Sequence, residues 1–183
     1  MRKTATSILP HPRYTPNGRN DIALIKLRSR LQFNDYIRPL CLPAGKISSS
    51  SGLKCIICGY GHGEEPHLPT PTCLSLVGLK PIKPMEILAL RTDALGTGGI
   101  RAGDSGSSLS CSKQGRQYMV GVISSLIREP SKGSTLGTIY ANVGHYEKWL
   151  KSSISNGTSS VQTVIGDKSF GIFDPFTRKF RKF

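Results

Sequence analysis

The apolar positions of this chain fall into short runs separated by turn residues, a pattern of strands more than of helices. Ile22-Ala23-Leu24-Ile25-Lys26-Leu27 is a nearly continuous apolar run of the kind found in a buried strand. Residues 54–60 return to strand character, 73–79 predict a clear strand, 86–91 a weaker one and 118–124 a core strand. Toward the end the period changes. Tyr146, Trp149, Leu150 and Ile154 recur at helical spacing, predicting an amphipathic helix whose apolar stripe is core packing. Residues 1–20, rich in Pro, Arg and Asn, read as an irregular surface loop, and 39–43 with 46–52 read as a connector ending in a serine run.

Composition supports the same class. With 37% hydrophobic residues, 20 Gly and 12 Pro, the 183-residue chain suits an all-β, turn-rich domain with a proper core. The formal net charge of +14 favours anionic surfaces such as nucleic acid or heparin-like glycans. The basic residues are spread along the chain, with one cluster at the tail, and no nucleic-acid motif accompanies them. The charge therefore reads as solvated surface first and polyanion affinity second, and no nucleic-acid partner is expected. No apolar run reaches the roughly 18 residues of a membrane span, and Pro10 interrupts any signal-peptide core that Met1-Arg2-Lys3 would begin. The five cysteines fit an oxidising compartment better than a cytosolic redox site. Cys55 and Cys58 form a C-x₂-C, yet neither Cys73 nor Cys111 begins a second pair, so neither zinc nor a cofactor is expected. Asn156-Gly157-Thr158 is a glycosylation sequon, usable only on a secreted chain.

Candidate chemistry concentrates at Gly103-Asp104-Ser105-Gly106. A nucleophilic serine needs a tight turn that leaves its Oγ exposed, and flanking glycines allow both the turn and close approach of a substrate backbone. The amides of Gly103 and Ser105 would then face a developing oxyanion, a contribution of ~10²–10³ in rate. These four residues by themselves are equally a Gly/Ser turn between two strands. Asp21, at the mouth of its apolar run, reads in isolation as a turn cap or surface charge. His62 and His67 fall in a Gly/Pro-rich loop and His145 begins a helix, so none of the three has a catalytic setting.

The residues around these positions decide between the readings. Gly103 to Leu109 resembles the Gly-Asp-Ser-Gly-Gly-Pro-Leu signature of chymotrypsin/trypsin-like serine proteases, with Ser107 and Ser108 in place of Gly-Pro. Asn20-Asp21-Ile22-Ala23-Leu24-Ile25-Lys26-Leu27 resembles that family's catalytic-aspartate strand, and Ile37-Arg38-Pro39-Leu40-Cys41-Leu42-Pro43 the segment after it. Cys55-Ile56-Ile57-Cys58-Gly59-Tyr60-Gly61 resembles the opening of the second barrel, and Val120 to Ser124, Ile139-Tyr140 and a closing helix with Trp149 match the family's end. The similarity runs in order from about Ile8 to Ile154.

The resemblance implies an all-β fold, the C-terminal half of a double β-barrel with a short C-terminal helix, over residues 1–154. Residues 155–183, outside the resemblance, are expected to be a basic, disordered tail that would also suit acidic lipid or glycan. The resemblance implies peptide-bond hydrolysis with Ser105 as nucleophile, Asp21 as the carboxylate behind a histidine, and an oxyanion hole at Gly103 and Ser105. Ser124 matches a serine near the catalytic aspartate. Gly99 stands where trypsin-type relatives carry an aspartate in the substrate pocket, and Leu126 where the pocket wall usually has glycine. A Cys55–Cys111 disulfide is implied; Cys41 and Cys73 match cysteines whose partners are absent, and Cys58 has no counterpart. His11 corresponds to a surface histidine of the loop before Asp21, and the catalytic histidine, which belongs tens of residues before Asp21, is absent. Partners would be polypeptide substrates or protein inhibitors, in an extracellular setting. Two readings follow: a serine endopeptidase missing its first barrel, or a non-catalytic homologue acting as a binding or decoy module.

Overall fold

Strand Arg116–Arg128, thirteen residues long, is the element on which the others assemble. The structure is a computed structural model, and it describes residues 2–44, 53–60, 72–76, 80–81, 89–93, 100, 103–128 and 135–156. Numbered in chain order, β1 (Ala5–Pro10) and β2 (Ala23–Leu27) pair antiparallel as a sheet of their own. A seven-stranded antiparallel sheet contains β3 (Lys54–Gly59), β4 (Thr72–Leu76), β5 (Lys80–Pro81), β6 (Ala89–Asp93), β7 (Ser108–Lys113), β8 (Arg116–Arg128) and β9 (Thr135–Asn142). Its order is β4-β3-β7-β8-β9-β6-β5, which puts β8 at the centre. A 3-10 turn at Val143–Tyr146 leads into α1 (Glu147–Asn156). The fold is thus all-β with a short C-terminal helix, as the resemblance implies.

The continuous apolar run of β8 serves two cores, one on each face of the sheet. Val120 and Ile123 join Cys55, Ile57, Ile100, Leu109, Cys111 and Tyr140 on one face. Met119 and Val122 join Ile22, Ala141, Val143, Tyr146 and Leu150 on the other. Strict alternation cannot send 119 and 122 the same way, because an odd step changes face. The register shift against β7 supplies the missing residue: Leu109 pairs with Gly121 but Ser110 with Met119, leaving Val120 as the extra one.

The segment before β3 is fastened to this sheet in two ways. Ile22 is buried in the second core, with Leu24, Leu40 and Leu42 packed against it. Cys41 then forms a parallel bridge to Tyr118, its amide donating to the Gln117 carbonyl (3.1 Å) and its carbonyl accepting the Met119 amide (2.9 Å).

Several expectations change. Residues 1–20 are not all loop: β1 lies within them, fully exposed, and its place is set by backbone pairing with β2, which a polar, Pro-rich composition conceals. Of the run 22–27 only Ile22 is buried; β2 itself is half-buried apart from the exposed Lys26, since it has only β1 as a partner in its sheet. Cys58 and Cys73, which had no assigned partners, form a disulfide with each other. They are directly opposite on β3 and β4, as Cys55 and Cys111 are on β3 and β7, where the implied bridge is also present. Both cysteines of the C-x₂-C are therefore used in bridges. Cys41 is a free, half-buried thiol. The strand expected at 86–91 begins at Ala89, and the connector 46–52, the loop with His62 and His67, Gly99 and the tail from 157 lie outside the described residues. Among the described residues no helix is long and apolar enough to cross a membrane.

Candidate active site

Ser105 sits on a turn whose geometry follows from its neighbours. The Ser107 amide donates to the Asp104 carbonyl (3.0 Å), closing a four-residue turn with Ser105 and Gly106 at its centre. Gly106 has φ +85°, the positive value that the third position of a type II turn demands, and Gly103 enters at φ +94°. The turn is held against β8 by two further bonds, the Gly106 amide to the Ile123 carbonyl (2.9 Å) and the Ile123 amide to the Ser107 carbonyl (3.0 Å). Ser105 itself stays half-exposed while Asp104 on one side and Gly106 on the other are buried. The Asp104 carboxylate lies over the backbone of Gly59, so closely that a Cβ added there would overlap it. Glycine at 59 is what lets the residue before Ser105 fold inward.

Asp21 is held at the same stretch of β8. Asn20 takes a left-handed backbone, φ +52°, which asparagine tolerates, and its Nδ2 donates to the Arg13 carbonyl (2.7 Å). The Ile22 amide then donates to the Asn20 carbonyl (2.9 Å), a three-residue turn with Asp21 at its middle. Ser124 Oγ donates to Asp21 Oδ2 at 2.7 Å. Ser124 is free to do so because β8 bulges at this point: Ile123 pairs with Tyr140 and Ser125 with Ile139, so Ser124 is the residue without an opposite number. Consecutive residues of β8 thus hold the two candidate groups, Ile123 the turn of Ser105 and Ser124 the carboxylate of Asp21.

Other expected positions are only partly covered. Leu126 is half-buried on β8, two residues beyond Ser124 on the strand, while Gly99, the other residue expected in the pocket, lies outside the described residues. His11 is not a surface histidine. It is 5% exposed, and its ring packs edge-on against Tyr146 (centroids 5.2 Å apart) and Trp149 (4.8 Å). The loop around it bends inward because the His11 amide donates to the Ile22 carbonyl (2.9 Å), and the aromatic pair from the C-terminal turn and helix covers the ring. Burial, reinforced by the nearby Asp21 carboxylate, raises Tyr146 to about 12.

The sequence placed Tyr146 in the core correctly, misread His11 as a surface residue, and gave Asn20 and Gly59 no part in the site. The Asn-Asp pair at 20–21 was the one local signal available, as a residue type suited to a left-handed turn. Removing the Ser124 hydroxyl tests the buttress on Asp21. Ser124→Ala should lower unfolding stability by about 1.5–3 kcal/mol, the range for a bond to a charged group. Urea unfolding of the two proteins measures it, and a loss below ~0.5 kcal/mol would mean that the bond contributes nothing net.

The family profile described as Trypsin matches residues 2–150. Testisin from Homo sapiens is 30% identical over 169 residues, which cover 82% of this chain and 52% of testisin. Serine protease 56 from Mus musculus is 33% identical over 174 residues, covering 84% of this chain and 28% of that protein. CLIP domain-containing serine protease B8 from Anopheles gambiae is 32% identical over 170 residues, covering 79% and 42% respectively. The chain spans about half the length of these relatives, or less.

Proposed function

This chain belongs to the trypsin family of serine proteases, and from that premise we propose that it contributes the nucleophile and the carboxylate of a peptide-bond hydrolase. The observation that carries the reading is the junction at Ile123 and Ser124, to which the Ser105 turn and Asp21 are both bonded. Ser105 Oγ attacks the scissile carbonyl and yields its proton to an imidazole, which returns it to the leaving amine. Water then hydrolyses the acyl-enzyme by the same proton path. Asp21 accepts the other imidazole N–H, fixes the tautomer and stabilises the imidazolium, and the amides of Gly103 and Ser105 receive the oxyanion.

The imidazole comes from outside these 183 residues. His11, the one histidine before Asp21, is packed under Tyr146 and Trp149, with its Nδ1 accepting the Arg13 amide (3.2 Å). The polypeptide by itself is therefore inactive. Gly99 and Leu126 would give a pocket without an acidic floor and with a narrowed entrance, suited to small or medium apolar side chains. Two disulfides favour work in an oxidising, extracellular compartment.

The test joins this chain to the upstream protease segment of a relative such as serine protease 56 and assays peptide libraries. The joined protein should turn over substrates with apolar residues before the cleaved bond, and the 183-residue chain should not. A folded, fully disulfide-bonded fusion without turnover would instead support a non-catalytic homologue acting as a binding module. A profile dominated by Arg would remove the assignment of Gly99 and Leu126.

A further inference from the structure

We propose that His11 is a positioning residue, a pH-sensitive latch whose neutral ring seats the Asp21 segment against the C-terminal turn and helix. Three contacts define the latch. The His11 amide donates to the Ile22 carbonyl at 2.9 Å, gripping the residue next to Asp21. The ring packs edge-on against Tyr146 and Trp149, in the core that also buries Ile22 and Leu150. Nδ1 accepts the Arg13 amide at 3.2 Å, which requires that nitrogen to be without a proton.

Protonation removes the Nδ1 contact directly and makes the buried seat of the ring unfavourable, which loosens the other two. Nδ1 becomes a donor facing a donor, and a positive charge enters an enclosure 5% open to solvent. The Asp21 carboxylate beside Tyr146 is the acidic group nearby, and it does not outweigh what opposes the charge. Burial, Arg13 on its own loop and His145 on the 3-10 turn all hold the imidazole below its ordinary value of 6.5. Tyr146 on the same turn stays neutral, being raised to about 12. On α1, Glu147 bonds Lys151 at 2.6 Å. An unfolded chain binds the His11 proton more readily than the folded one. The latch is thus complete above about pH 6.5 and is lost as pH falls through the lower folded-state value. Its consequence for catalysis rests on the proposed role of Asp21, but the latch itself is read without any activity.

Trp149 is the only tryptophan, and its ring centroid is 4.8 Å from that of His11, so its fluorescence reports this imidazole. Titration of the full chain from pH 8 to pH 4 should show one quenching step with a midpoint below 6.5. Hydrogen exchange of residues 17–27, corrected for the intrinsic rate, should accelerate at least tenfold over the same step, while residues 116–123 stay protected. His11→Phe keeps an aromatic ring and cannot take the proton, so both changes should vanish; His145→Gln should retain both. Should His11→Phe fail to fold, Arg13→Ala serves instead: it keeps the backbone donor, removes the cation and should move the midpoint upward. A wild-type chain without the step, a step that survives in His11→Phe, an unmoved midpoint in Arg13→Ala, or quenching without faster exchange at 17–27 would each overturn the latch. Because neither readout uses a substrate, an inactive fusion protein would defeat the protease reading and leave this one standing.

Discussion

Replacing Ser105 by alanine in the fused, imidazole-containing enzyme should lower turnover by about 10⁴–10⁶. The effect is large because the proton acceptor, the carboxylate and the nucleophile act as a unit, so that loss of one idles the others. What remains is the contribution of the oxyanion hole and of substrate binding, ~10³–10⁴ over the reaction in water. Asp21→Asn should cost about 10⁴, since an amide presents a donor where the imidazole N–H needs an acceptor. Neither figure reflects unfolding in the Ser105 case. Ser105 is half-exposed, and its turn is held by backbone bonds at Ile123 and Asp104 that alanine keeps. Steady-state kinetics together with the urea midpoint separate the two effects. Turnover of Ser105→Ala within tenfold of the parent would show that another group is the nucleophile.

The second large effect is on stability. Cys55 and Cys111 close a loop with a sequence separation of 56, for which the chain-entropy model gives about 4 kcal/mol. Both residues are 1% exposed, in the core with Ile57, Leu109 and Tyr140, so the double variant Cys55→Ala with Cys111→Ala also loses packed atoms there. The Cys58–Cys73 bridge closes a separation of only 15, worth about 3 kcal/mol in the same model, and Cys73 is exposed. Removing the first pair should therefore destabilise the protein more than removing the second. Urea denaturation of the two double variants checks the order, and peptide mapping checks the pairing. Equal losses, or Cys55 and Cys111 recovered as free thiols from an oxidising host, would contradict it. Total domain stability is commonly only ~5–15 kcal/mol, so the first variant is expected to be marginal.

Much of the fold and of the candidate site was legible from residue order. The apolar runs at 22–27, 54–60 and 118–124 and the helical stripe of Tyr146, Trp149, Leu150 and Ile154 mark elements that exist. Gly103 and Gly106 announce a tight turn around Ser105 because no other residue type enters positive φ so easily. Local chemistry of this kind is written in adjacent residues, and so it can be read from them.

Relations across the sheet are different, because they depend on register. Nothing in the run 118–124 tells that Val120 and Ser124 are the extra residues of two bulges. Yet the first bulge decides which side chains enter which core, and the second frees Ser124 for Asp21, 103 residues away in sequence. The partners of Cys58 and Cys73 were hidden likewise, since only pairing of β3 with β4 makes them opposite. His11 is the clearest case. A histidine between prolines in a polar stretch reads as solvent-exposed, and it becomes buried only because the C-terminal turn and helix bring Tyr146 and Trp149 over it. Neighbouring residues are enough to mark the family, the more apolar strands and the turn of Ser105, but not β1, which pairing alone reveals. The tertiary structure decided the seat of Asp21, the second disulfide and the burial of His11, because each is a contact between segments whose approach is set by strand register and core packing.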